Sequence, residues 1–82
     1  MKEAAPDQRL IDIGDKLKKL RIQNGYTSYE NFALDHDLNR KYYWSVEKGR
    51  NISIAYLLKI LDIHKVSLEQ FINLKTPPKP QS

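Results

Sequence analysis

The stretch TSYENFALDHDLNRKYYWSVEKGR, Thr27 to Arg50, constrains this chain more than any other. It reads as two short helices joined by a tight turn. Thr27 has an N-cap side chain and Glu30 follows three residues on, the spacing of a capping box in which each side chain satisfies one orphan backbone N–H. Phe32 and Ala33 then face inward. Asp37 falls where the first helix must stop, and aspartate is among the few non-glycine types that tolerate left-handed backbone. Leu38 buries the turn and Asn39 caps the second helix. Tyr43 and Val46, at i and i+3, give that helix its core stripe, and Gly49 suits the position just past its end.

At about 100° per residue, Tyr43 and Val46 share one side of the second helix. The opposite side carries Lys41, Trp44, Ser45 and Lys48, with Arg40 on the shoulder. That face is cationic, hydrogen-bonding and aromatic. It suits a DNA major groove, which offers base-edge acceptors and thymine methyls between two rows of phosphate. A plain solvated helix would carry the lysines equally well. Trp44 is what separates the two readings, because large exposed aromatics mark contact surfaces.

Composition narrows the alternatives. The chain has 82 residues, enough for one domain and too few for a catalytic cleft between domains. A chain of this size buries only about 60% of its unfolded surface, so its stability is marginal. With no cysteine there is no disulfide framework, thiolate zinc site or thiol nucleophile. The formal net charge of +4 favours a polyanionic partner. The longest apolar run, IAYLL, is far shorter than the roughly 20 residues a bilayer crossing needs. The start, MKEAAPDQ, has no apolar signal-peptide core. These features predict a cytoplasmic protein, on the nucleoid when bound to DNA, with no membrane partner.

The rest of the chain also reads as helix. Pro6 and Asp7 can start and cap one. Leu10, Ile13, Leu17 and Leu20 form a single apolar stripe over Gln8 to Asn24, and Gly25 ends it. Lys16, Lys18, Lys19 and Arg21 occupy the other faces as solvating charge. Tyr26 reads as a buried connector. Ser53 caps a fourth helix over Ile54 to His64, with Ile54, Leu57, Leu58, Ile60 and Leu61 inward. Ser67 and Gln70 make another capping box, opening a short fifth helix with Leu68, Phe71 and Ile72 on its core side. The fold class is all-α, a compact five-helix bundle. The chain divides into a flexible N-terminus over 1–7, the helical domain over 8–74, and a disordered Pro-rich tail over 75–82.

The segments IGDKLKKLRIQNG (Ile13–Gly25), FA (Phe32, Ala33), NRKYYWSVEKGR (Asn39–Arg50), LLKI (Leu57–Ile60) and VSLEQF (Val66–Phe71) resemble the Cro and phage-repressor, or XRE-like, helix-turn-helix family. The resemblance covers roughly residues 13 to 72. It implies a lambda-repressor-like DNA-binding domain whose third helix enters the major groove, in a homodimeric, repressor-like transcriptional regulator of double-stranded DNA. Carried over by position, it makes Arg40, Lys41, Trp44 and Ser45 base-reading residues. Ser28, Tyr29, Asn39, Lys48 and Arg50 become backbone contacts, and Arg21 with Glu47 a structural ion pair. The chain departs from the pattern in a longer loop before Phe32, in Ser28 or Tyr29 where glutamine is usual, in Asp37 for the turn glycine, and in His36 and Tyr43 for aliphatic residues.

Other chemistry finds little footing. His36 and His64 lie on different helices without a carboxylate at ligand spacing, and a metal site needs three or four converging ligands. Asp35 and Asp37, at i and i+2, do not face one another on a helix. No serine has a base partner visible in sequence. The expectation is no enzyme, no metal and no cofactor. Two functions remain. One is the sequence-specific DNA regulator. The other is a protein-interaction module of the same fold, an antitoxin or regulatory subunit docking a protein partner through Trp44, Tyr42 and their neighbours.

Overall fold

A computed structural model describes residues 7–74. The expectations of a flexible start and a Pro-rich disordered tail fall, Asp7 apart, outside those residues. Among the described residues the chain forms five helices and no strand: α1 (Gln8–Gln23), α2 (Tyr29–Asp35), α3 (Arg40–Glu47), α4 (Ile54–His64) and α5 (Leu68–Asn73).

Every helix opens on a short polar side chain. The caps are Asp7, Ser28, Asn39, Ser53 and Ser67, each accepting a backbone N–H from the first turn. Ser67 and Gln70 complete a reciprocal capping box. The cap of α2 corrects the sequence expectation. It is Ser28, not Thr27, and its Oγ accepts from the Asn31 N–H at 3.2 Å. Serine is the better N-cap of the two, and Glu30 turns toward Arg40 instead of back to the cap.

The helix ends share one device. After α1, α2, α3 and α4 a residue with positive φ reverses the chain: Gly25, Asp37, Gly49 and Lys65. The residue after each returns its N–H to a carbonyl in the last turn, Tyr26 to Arg21, Leu38 to Ala33, Arg50 to Ser45 and Val66 to Leu61. These are Schellman closures, which satisfy carbonyls that a helix end would otherwise leave open.

The core gathers Leu17 and Leu20 of α1, Phe32 and Ala33 of α2, Tyr43 and Val46 of α3, Leu57, Ile60 and Leu61 of α4, and Phe71 of α5, with Leu38 sealing the turn. Four residues expected inside are outside. Ile54 is 65% exposed and Ile72 63%, and Leu58 and Leu68 are also exposed. Each lies one helical turn from another of the four, so each helix carries an outer apolar strip as well as an inner one. Tyr26 is half-buried, its ring edge-on to Phe32. Lys16 is not plain solvating charge either. Its ammonium donates to the carbonyls of Phe71 (3.3 Å) and Ile72 (3.2 Å) and holds the end of α5.

Candidate nucleic-acid interface

Three contacts fix α3, and with it the face it presents. Its underside is Tyr43 and Val46, fully enclosed. The Tyr43 ring packs on Phe32 with centroids 5.1 Å apart. Its C-terminal end is fixed by Arg21 and Glu47. Nε of Arg21 donates to Glu47 Oε2 at 2.7 Å and Nη2 to Oε1 at 3.0 Å, while Nη1 donates to the Tyr26 carbonyl at 2.8 Å. The two side chains are only 5% and 6% exposed. This two-pronged pairing raises the Arg21 pKa further above its ordinary value. Burial, then the neighbouring Glu47 carboxylate, pushes the Tyr43 phenol up.

Sequence reasoning missed the third contact. Gly14 of α1 is buried against the last turn of α3, where a Cβ would lie 2.6 Å from the carbonyl oxygens of both Val46 and Glu47. Only a residue without a side chain lets the two backbones approach so closely. A glycine inside an otherwise helical stretch was the available signal. One turn later Gly49, with φ of +98°, sits over Ile11.

Held in this way, α3 exposes Arg40, Lys41, Trp44 and Lys48. Trp44 is 44% exposed. Tyr29 lies beside it, centroids 6.4 Å apart and planes at 47°, and the Lys48 ammonium sits 5.5 Å from the indole centroid. Arg40 leans toward Glu30 at 3.8 Å in an exposed pair, which is worth little and is readily exchanged for a phosphate or base edge. The structure therefore brings Arg40, Lys41, Trp44 and Lys48 onto one surface, with Tyr29 at its margin.

The remaining site candidates are placed differently. The Ser45 hydroxyl is half-buried and donates back to the Tyr42 carbonyl at 2.7 Å, leaving it an acceptor toward any ligand. Asn39 Oδ1 accepts from the Tyr42 N–H at 2.9 Å, which leaves its amide NH₂ to face outward at the start of α3. The oxygen of Ser28 is engaged in the cap of α2. Arg50 is exposed beyond the end of α3, its own N–H closing the helix on Ser45. Asp35 accepts from the Tyr26 hydroxyl at 2.8 Å and is thereby drawn to the flank of α2. Tyr42 packs edge-on against Tyr56, centroids 4.6 Å apart, and burial there pushes the Tyr56 phenol up to about 12.

Between α1 and α3 runs an open groove of about 490 Å³, lined among others by Lys18, Thr27, Tyr29, Trp44 and Lys48. On the far side the two histidines meet the core. His64 stacks on Phe32 (5.2 Å, 3°) and His36 tilts against the same ring at 4.7 Å. Among the described residues, no group of three or more metal-ligating side chains converges, and no helix is long and apolar enough to cross a membrane.

No family model matches the chain. The control protein C.MunI from a Mycoplasma species is 51% identical to it over 51 residues, which span 61% of this chain and 69% of that protein. Among solved structures, the restriction-modification controller protein C.AhdI from Aeromonas hydrophila superposes with a TM-score of 0.69 at 30% identity, covering 79% of this chain and 98% of that one. A hypothetical transcription factor from Neisseria, NHTF, superposes with a TM-score of 0.65 at 26% identity, covering 94% of this chain and 88% of that one.

Proposed function

The chain belongs to the XRE-like helix-turn-helix family, beside controller proteins such as C.MunI and C.AhdI, and is a DNA-binding transcriptional regulator; on that footing we propose that it acts as a cytoplasmic homodimer, inserting α3 of each copy into the major groove. Arg40, Lys41 and Trp44 read base edges, with Ser45 contributing an acceptor. Asn39, Lys48, Arg50 and the start of α2 at Ser28 and Tyr29 engage phosphates. The observation that carries this reading is the exposed Arg40–Lys41–Trp44–Lys48 surface on a helix whose opposite side is locked by Arg21, Glu47 and Gly14. A rigid helix with a cationic, partly aromatic outer face is what groove reading requires.

A second copy is supported by the outer strips of Ile54 and Leu58 on α4 and Leu68 and Ile72 on α5, large apolar residues left in water on two helices that pack together. Two-fold pairing turns one short helix into a reader of a palindromic site. C.AhdI is a restriction-modification controller, and its likeness over nearly all of its length supports the same office here, with no enzymatic step. The test is selection of duplexes from a random pool by the full chain, followed by footprinting in the genome that encodes it. A palindromic site upstream of a restriction-modification gene set is the expected result. Failure to enrich any duplex would leave the protein-docking module as the better reading.

A further inference from the structure

Trp44 is the most exposed aromatic side chain of α3, 44% against 38% for Tyr42, whose ring packs edge-on against Tyr56. Arg40 and Lys41, one turn before it, and Lys48, one turn after, end in cations, and Ser45 turns back to Tyr42. The indole is also held. Tyr29 of α2 meets it at 6.4 Å, within the range of favourable aromatic pairs, and the Lys48 ammonium lies 5.5 Å over its ring. A side chain pinned between a ring and a cation loses little further freedom on binding, so its contact is selective as well as adhesive.

The major groove offers one apolar feature to such a surface, the C5-methyl group of a pyrimidine. Resting on the DNA-reading function above, we propose that Trp44 reads a thymine by its methyl group, and that Tyr29 and Lys48 are positioning residues that hold the indole for that contact. Lys48 then acts on the ring as well as on phosphate. Tyr29 acts through its ring on Trp44 as well as on the backbone.

The experiment uses the duplex that the full chain selects from a random pool, with each thymine replaced singly by deoxyuridine. The exchange removes the methyl and leaves every hydrogen-bonding edge intact. One position per half-site should weaken about fourfold, the worth of one methyl group taken out of water. In Trp44→Ala, thymine and uracil at that position should bind alike. In Tyr29→Leu, assayed well below its melting temperature because Tyr29 also packs against the core, the ratio of thymine to uracil affinity should shrink, a change that a purely structural role would not produce. Should the alanine variant fail to fold, Trp44→Gln provides the same comparison. A wild-type protein that binds its selected duplex but ignores every thymine-to-uracil exchange overturns the proposal and leaves the regulator reading standing. So does uracil sensitivity that persists undiminished in the Trp44 variant. Enrichment of no duplex overturns both.

Discussion

Gly14 lies against the backbone of Glu47: a β-carbon on it would sit 2.6 Å from that residue's carbonyl oxygen, and equally close to that of Val46. Glu47 is thus held twice by α1, through its backbone at Gly14 and through its carboxylate at Arg21. The two contacts lie on either side of Leu17, which packs into the core between them. They determine how far α3 stands from α1 and so where its outer face points.

Gly14→Ala should therefore destabilise the domain, although alanine favours a helix interior over glycine by about 1 kcal/mol. The clash is with backbone, which cannot swing aside, and overpacking of that kind costs roughly 1–3 kcal/mol. Urea denaturation should show a lower midpoint at unchanged slope. A variant as stable as the parent would mean that the two helices are not closely apposed.

Arg21 and Glu47 should be strongly coupled. Removing one partner strands the other charge in a buried place, a loss of roughly 3 kcal/mol or more. That is a large part of the 5–15 kcal/mol a small domain commonly has, so Arg21→Met and Glu47→Leu should each leave the protein partly unfolded at 37 °C. The double variant should recover much of the loss. A double-mutant cycle with no coupling would refute the pairing.

Stability should also fall with acid. His64 stacks on Phe32, and its Nε2 is buried with no hydrogen-bond partner among the described residues. Burial, with His36 as the nearby like charge, lowers its pKa below the ordinary histidine value. Asn24 faces its other ring nitrogen at 3.4 Å. A group whose folded pKa is depressed is held neutral by the fold. Its contribution is complete above the unfolded value of about 6.5 and is lost as pH drops below it. The melting temperature should decline between pH 7 and pH 5, and His64→Leu should flatten that decline. An unchanged slope in the variant would assign the acid sensitivity to another group.

How much of this was legible in the sequence depends on the range of the interaction. Caps at Asn39, Ser53 and Ser67 are local events within one turn, and they read directly. The phase of α3 is local too, which is why Tyr43 and Val46 fall inward and Trp44 outward. The single cap misread, Thr27 for Ser28, is a choice between adjacent hydroxyls. Gly14 was not legible as a contact, because periodicity tells which side of α1 is apolar and not how near another backbone comes. Lys65 takes a left-handed φ of +59° that nothing in its chemistry announces. Ile54, Leu58, Leu68 and Ile72 were misplaced for a related reason. An apolar residue turned outward has the same periodicity as one turned into the core. At the site, the cations and Trp44 were legible, but the alignment of Tyr29 and Lys48 on the indole needs two helices brought together.

Those outer strips supply the remaining prediction, which joins assembly to electrostatics. If a second copy covers them, Leu58→Glu should give a monomer by sedimentation at concentrations where the parent is a dimer. The fold should hold, since Leu58 is already exposed and takes no part in the buried core. Binding to duplex DNA releases counterions, and log K falls with log salt by about 0.9 per phosphate neutralised. A dimer using two or three cations per subunit, drawn from Arg40, Lys41, Lys48 and Arg50, should show a slope of roughly −4 to −6. The Leu58→Glu monomer should retain about half that slope and bind a single half-site weakly. A variant that stays dimeric would move the interface elsewhere. A monomer that keeps the full slope would mean that one copy already spans the site, and that the two-fold arrangement is wrong.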